Sequence, residues 1–142
     1  WQGYALARYA QGIHVARALA QGLGAQVGLA LRTTLALDAN HAYAHVALGA
    51  FEAAVIDKLG PLVGAITYGV TAESALDHLQ QAQRLAPDSP AVLHECAGAL
   101  LLMDGSARLE EANRLQEAAA HATPRDAVER LWVELARTSL ML

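Results

Sequence analysis

The chain has 142 residues, 54% of them hydrophobic but only 5% aromatic, and carries a net charge of −4 with a pI near 5.8. That length bounds one domain, 1–142, large enough for its own core, and an acidic balance without any basic run excludes a nucleic-acid surface. The lone Cys96 excludes an intrachain disulfide or a cysteine metal cluster, and no run reaches the ~18 uncharged apolar residues of a membrane span. The 32 alanines predict closely packed helices rather than a sheet, so the fold class is all-α.

In chain order, residues 1–20 read as a first helix, with Ala5, Tyr9, Gly12, Ala16 and Leu19 at helical spacing. Gly22-Leu23-Gly24 is a turn, and 25–37 a second helix. Asn40 is the expected cap of a third helix over 41–58, which Gly60-Pro61 stops. An apolar, glycine-bearing insertion, 59–71, follows. Thr71 caps a fourth helix over 72–86, and Ser89 a fifth over 90–103, with Pro90 at its first position, where the missing N–H costs nothing. Ser106 caps a sixth over 107–122. Asp126 and Glu129 have capping-box spacing for a closing helix over 127–141.

These elements repeat. Ala75, Leu79 and Ala82 share one helical face, and Pro87 ends their helix. Ala112, Gln116, Ala119 and Pro124 repeat that spacing 37 residues later, and Val27, Leu31, Thr34 and Ala39 form an earlier, weaker copy. Leu48-Gly49 matches the Leu-Gly pair of the first helix of a tetratricopeptide repeat. Over about 25–135 the chain therefore resembles a tetratricopeptide-repeat protein. The resemblance implies an α-α superhelix of three hairpins, at about 1–40, 41–89 and 90–125, plus a closing helix at 126–142. The insertion, followed by AESALDHLQQAQRLAPDSP, makes 41–124 similar to the repeat domain of the regulator-of-microtubule-dynamics family and to the T-components of TRAP transporters. Both are non-enzymatic helical-repeat proteins.

Catalytic signals are sparse. His41 and His45 stand four apart on one helix, but the Glu of a His-Glu-x-x-His site is missing and no third ligand is fixed, so no metal is expected. His78 and His94 read as packing or polar residues, with His94 able to line an inner surface. Glu110, Glu111 and Glu117 share a helix with Arg108 and Arg114 and read as a solvated face. No carboxylate pair, nucleophile elbow or phosphate loop is present, so neither an enzyme nor a cofactor is expected. Nine of the ten basic residues are arginine, which with the alanine content points to a bacterial source. The chain begins at Trp1, as expected of a cut or processed protein, and a cytoplasmic location is favoured over a periplasmic one.

The resemblance places the inward positions on Tyr43, Val46, Ala50, Ala53 and Ala54 in one unit and on Ala91, His94, Gly98, Leu101 and Leu102 in the next. The expected function is a protein-interaction scaffold that holds a peptide or partner helix on this concave face through Tyr43, Val46, Ala50, Tyr68, His94 and Leu101. A soluble protein binding a small apolar ligand, or a transporter-associated component, is the alternative. The segment Leu59–Val70 carries no charge, so it is expected to fold over Tyr43, Val46, Ala50 and Ala53 with Tyr68 as its anchor and to narrow the groove.

Overall fold

The computed structural model describes residues 22–141, and within them the chain is helical, with no strand. The helices are α1 (Leu23–Leu37), α2 (Ala42–Leu59), α3 (Pro61–Tyr68), α4 (Ala72–Leu85), α5 (Pro90–Asp104), α6 (Leu109–His121) and α7 (Ala127–Leu140), with a 3₁₀ turn at Gly105–Arg108 between α5 and α6. Six of the seven helices expected from sequence are present here. The first, at 1–20, lies outside the described residues, and α3 is an additional short helix inside the insertion.

The caps follow local chemistry. The Thr71 hydroxyl accepts from Ser74 N–H at 3.0 Å, the Ser89 hydroxyl from Val92 N–H at 3.4 Å, and Asp126 from Glu129 N–H at 2.8 Å. Glu129 returns the bond one residue further back than a standard capping box, to Arg125 N–H at 2.8 Å. Two caps differ from expectation. His41, not Asn40, caps α2, its Nδ1 accepting from Ala44 N–H at 3.0 Å. Ser106 caps nothing: it falls inside the 3₁₀ turn, and α6 starts at Leu109 without a side-chain cap. Arg108 bridges that junction, donating to Asp104 and Glu111, each at 3.1 Å.

Two of the three repeated faces are buried throughout and the weaker copy in part, since Thr34 is only half-buried. Ala75, Leu79 and Ala82 turn into the core, as do Ala112, Gln116 and Ala119, and Val27 with Leu31. α2 lies antiparallel to α4: His45 faces His78, and Gly49 faces Ala75 and Leu79. α2 packs on α1, α4 and α5; α5 packs on α6 and α7; and α6 packs on α7. One core cluster joins Val46, Ala50 and Ala53 of α2 to Leu79 of α4, Val92, Cys96 and Leu100 of α5, and Leu115 of α6. A smaller one joins α1 to the opposite side of α2 through Val27, Leu31, Leu48, Phe51 and Val55.

The insertion corrects the sequence reading. Gly60 at φ 83° breaks α2, Pro61 starts α3, and Gly69 at φ 66° ends it, donating back to the Gly64 and Ala65 carbonyls. The segment does fold against its own unit, but on the Val55 side of α2 rather than over Tyr43, Val46, Ala50 and Ala53. Its anchor is Val70, which is fully buried. A Cβ added to Gly64 would stand 3.1 Å from Val70 and 3.4 Å from Val55, so the absence of a side chain there lets α3 approach. Tyr68 is only half-buried and meets Phe51 edge-on at 6.5 Å. Leu62 and Ile66 stay 71% and 77% exposed. The groove expected over α2 is absent because α4 and α5 already occupy that face.

Candidate functional site

The six residues assigned from sequence to one concave face are divided among four places. Val46 and Ala50 are core, 0% and 5% exposed, packed under α4 and α5. Their small size is what lets those helices close on α2, so the property read as a groove is the property of a tight contact. Tyr43 sits at the α4–α5 turn, its hydroxyl 3.4 Å from the Ser89 hydroxyl, and Tyr68 lies across the molecule on Phe51. Only His94 and Leu101 line an open site together. Of the other inward positions, Gly98 joins them, whereas Ala53, Ala54 and Ala91 are buried.

That site is a cleft of about 290 Å³ between α5, α6 and α7. α5 supplies His94, Ala97, Gly98 and Leu101; α6 supplies Ala112, Asn113 and Gln116; α7 closes it with Ser139 and Leu140. The spacing 94, 98, 101 puts the α5 residues on one helical face. Gly98 opens the middle of that face: a Cβ added there would meet nothing within 4 Å. Leu101 and Leu140 are exposed apolar side chains at its edge.

A polar pair crosses the cleft. His94 Nδ1 lies 2.9 Å from Gln116 Nε2 and 3.1 Å from Gln116 Oε1, and the same Nε2 donates to the Ala136 carbonyl at 3.3 Å. His94 Nδ1 can therefore accept from the amide N–H or donate to the amide oxygen, and the ring tautomer selects which. Trp132 packs on the same imidazole at 5.8 Å between ring centres. Gln116 is buried and its side-chain amide joins His94 on α5 to Ala136 on α7, so the histidine orientation is set by three helices.

Sequence reading missed Gln116, Asn113, Trp132, Ser139 and Leu140. A signal for Gln116 was present: it stands where Leu79 stands in the preceding copy of the repeat, a polar residue in a core register. Nothing comparable marked α7, whose approach to α5 depends on the turn at 122–126.

The remaining reactive side chains are elsewhere. Cys96 is buried, its Sγ 3.7 Å from the Leu79 carbonyl, and desolvation pushes its thiol up to about 12. His41 and His45 do not converge: the first caps α2 and the second meets His78 at 3.0 Å between Nδ1 atoms. Among the described residues no group of three or more His, Cys, Asp or Glu is placed to hold a metal ion, and no helix is long and apolar enough to cross a membrane. Glu52 is a single acid inside the apolar length of α2, 2% exposed. Its Oε1 lies 3.9 Å from the Arg32 guanidinium, and its Oε2 has no hydrogen-bond partner. Burial raises its pKa, against the pull of the Ser74 hydroxyl and Arg32.

No protein-family model, curated protein or solved structure matches this chain.

Proposed function

We propose that this chain is a non-enzymatic protein-interaction module of stacked helical hairpins, and that the α5–α6–α7 cleft receives an apolar side chain of a partner peptide or helix. The observation that carries the reading is the open floor at Gly98 between the exposed apolar Leu101 and Leu140, with Asn113, Ser139 and the fixed His94–Gln116 pair around it. A single anchor side chain held this way, with polar groups around it, is how an interface hot spot is built. A cleft of about 290 Å³, at the lower edge of the roughly 300–1,000 Å³ of small-molecule sites, has room for one large side chain. The tetratricopeptide resemblance is supported by the packing order, in which α2 pairs with α4 and then meets α5, and α5 pairs with α6 and then meets α7.

Non-catalytic use is supported by what surrounds each reactive group. The His94 ring is oriented by a neutral amide rather than a carboxylate, and the Cys96 thiol is held far from its reactive thiolate form.

The test is site-specific crosslinking in the full-length protein. A photoreactive residue at Asn113 should capture a defined partner from its native cells, and Gly98→Trp, which fills the cleft, should abolish that capture. Capture that persists unchanged in folded Gly98→Trp would refute the assignment.

A further inference from the structure

The contact between His45 of α2 and His78 of α4 has a chemistry that the interaction reading does not use. His45 Nε2 lies 2.8 Å from the Ala39 carbonyl, an acceptor, so Nε2 carries the ring proton. Its Nδ1 is then an acceptor as well, and His78 Nδ1, 3.0 Å away, must be the donor. Both rings are half-buried, with centroids 5.3 Å apart. Neutral imidazoles make this bond in one arrangement of protons only.

We propose that the His45–His78 pair is a proton-operated clasp that holds α4 against α2 at neutral pH and releases it on acidification. A first added proton can be shared: it sits on His45 Nδ1 while His78 moves to its Nε2–H tautomer and accepts. A second proton leaves two N–H groups facing each other across 3.0 Å, with two positive charges beside them. The contact cannot survive that state.

The surroundings resist the second proton. Burial lowers the pKa of His78 first, then the charge of His45 on α2 and that of Arg32 on α1, while Asp77 on α4 itself acts in the opposite direction. Glu52 on α2 lies against the same Arg32. The titratable groups on α5, His94, Glu95, Cys96 and Asp104, are not among the charges that act on His78. A histidine whose folded pKa lies below its unfolded 6.5 contributes stability that is complete above pH 6.5 and is lost as pH falls through the folded value. Buried Glu52 has the opposite sign, because its raised pKa favours the folded state as pH falls. The clasp is therefore read by comparing variants at matched pH, not from the stability curve of one protein.

Cys96 provides the readout. It is the only cysteine in the chain, and its Sγ lies against the carbonyl of Leu79, the residue after His78. Lifting α4 uncovers it. Its reaction with 4,4′-dithiodipyridine, expressed relative to fully unfolded protein at each pH, should accelerate by at least about tenfold from pH 7.5 to 5.0. In His78→Asn, which keeps a donor near the Nδ1 position but cannot titrate, the relative rate should stay flat. His45→Gln, which keeps the bond to Ala39, serves if His78→Asn does not fold. In the unaltered protein the His78 imidazole should titrate by NMR below the ordinary histidine value. A flat rate in the parent, an equal acceleration in the variant, a His78 titration not lowered from 6.5, or a stability gain on adding zinc ion alone would each overturn the clasp.

Discussion

Two glycines inside helices make one substitution give opposite results. In a helix interior Gly→Ala is worth about 1 kcal/mol of stability, because alanine loses less backbone entropy. At Gly98 that gain is unopposed, since the new Cβ enters open space. At Gly49 the new Cβ would stand 2.8 and 2.9 Å from Leu79 side-chain carbons and 3.1 Å from the Ala75 carbonyl oxygen. Leu79 is 1% exposed and has no room to turn away, and the carbonyl belongs to the α4 backbone. Relief therefore requires α4 to move, an overpacking cost of about 1–3 kcal/mol. Gly98→Ala should stabilise by about 1 kcal/mol, and Gly49→Ala should be neutral or destabilise by up to about 2 kcal/mol. The helical contribution cancels between them, so the difference measures the α2–α4 contact alone. Urea unfolding monitored by circular dichroism would give both values, with an unchanged slope confirming that only stability has moved. Equal stabilisation by the two substitutions would refute the close approach of α4 to Gly49.

Two further outcomes follow from buried ionisable groups. Cys96 should not react with iodoacetamide at pH 8 in folded protein and should react at the free-thiol rate once unfolded; because its pKa rises from 9.0 to about 12, stability should also decline as pH passes 9. Modification of the folded protein at the free-thiol rate would contradict its burial. Glu52→Gln should raise the unfolding midpoint at pH 8 and have little effect at pH 4, since a carboxyl with a raised pKa withdraws stability as pH climbs above 4.5. An equal effect at both pH values would show that burying its charge is not what Glu52 costs.

Most of the helices were legible because their signals are local. Ser89-Pro90, Thr71 and Asp126 each act within three residues of themselves, and the Ala75–Leu79–Ala82 spacing identifies a buried face wherever the partner helix comes from. Where a cap was misassigned, a competing side chain was available: His41 offers an acceptor nitrogen one position after Asn40. Ser106 was overridden by the junction itself, where Gly105 at φ 46° and the Arg108 bridge tighten the turn before α6 begins.

The site was less legible because a row of small residues has two meanings. Val46, Ala50 and Ala53 of α2 and His94, Gly98 and Leu101 of α5 have the same spacing along their helices, yet the first row is covered and the second is open. What distinguishes them is the following helix. Over α2 the neighbours are α4 and α5, both presenting residues that fill the space: Leu79, Val92 and Leu100. Over α5 the neighbour at the same place is α7, held at Ala136 by Gln116 and at the Ala120 carbonyl by Arg137, whose Nε donates across 3.1 Å. Those two bonds fasten α7 to α6 rather than letting it close on Gly98, and the cleft is the space left between them. A leucine at 116, as in the preceding copy, would remove the amide that holds both His94 and Ala136. The polar residue in a core register thus breaks the packing rule of the repeat and sets the orientation of the cleft histidine.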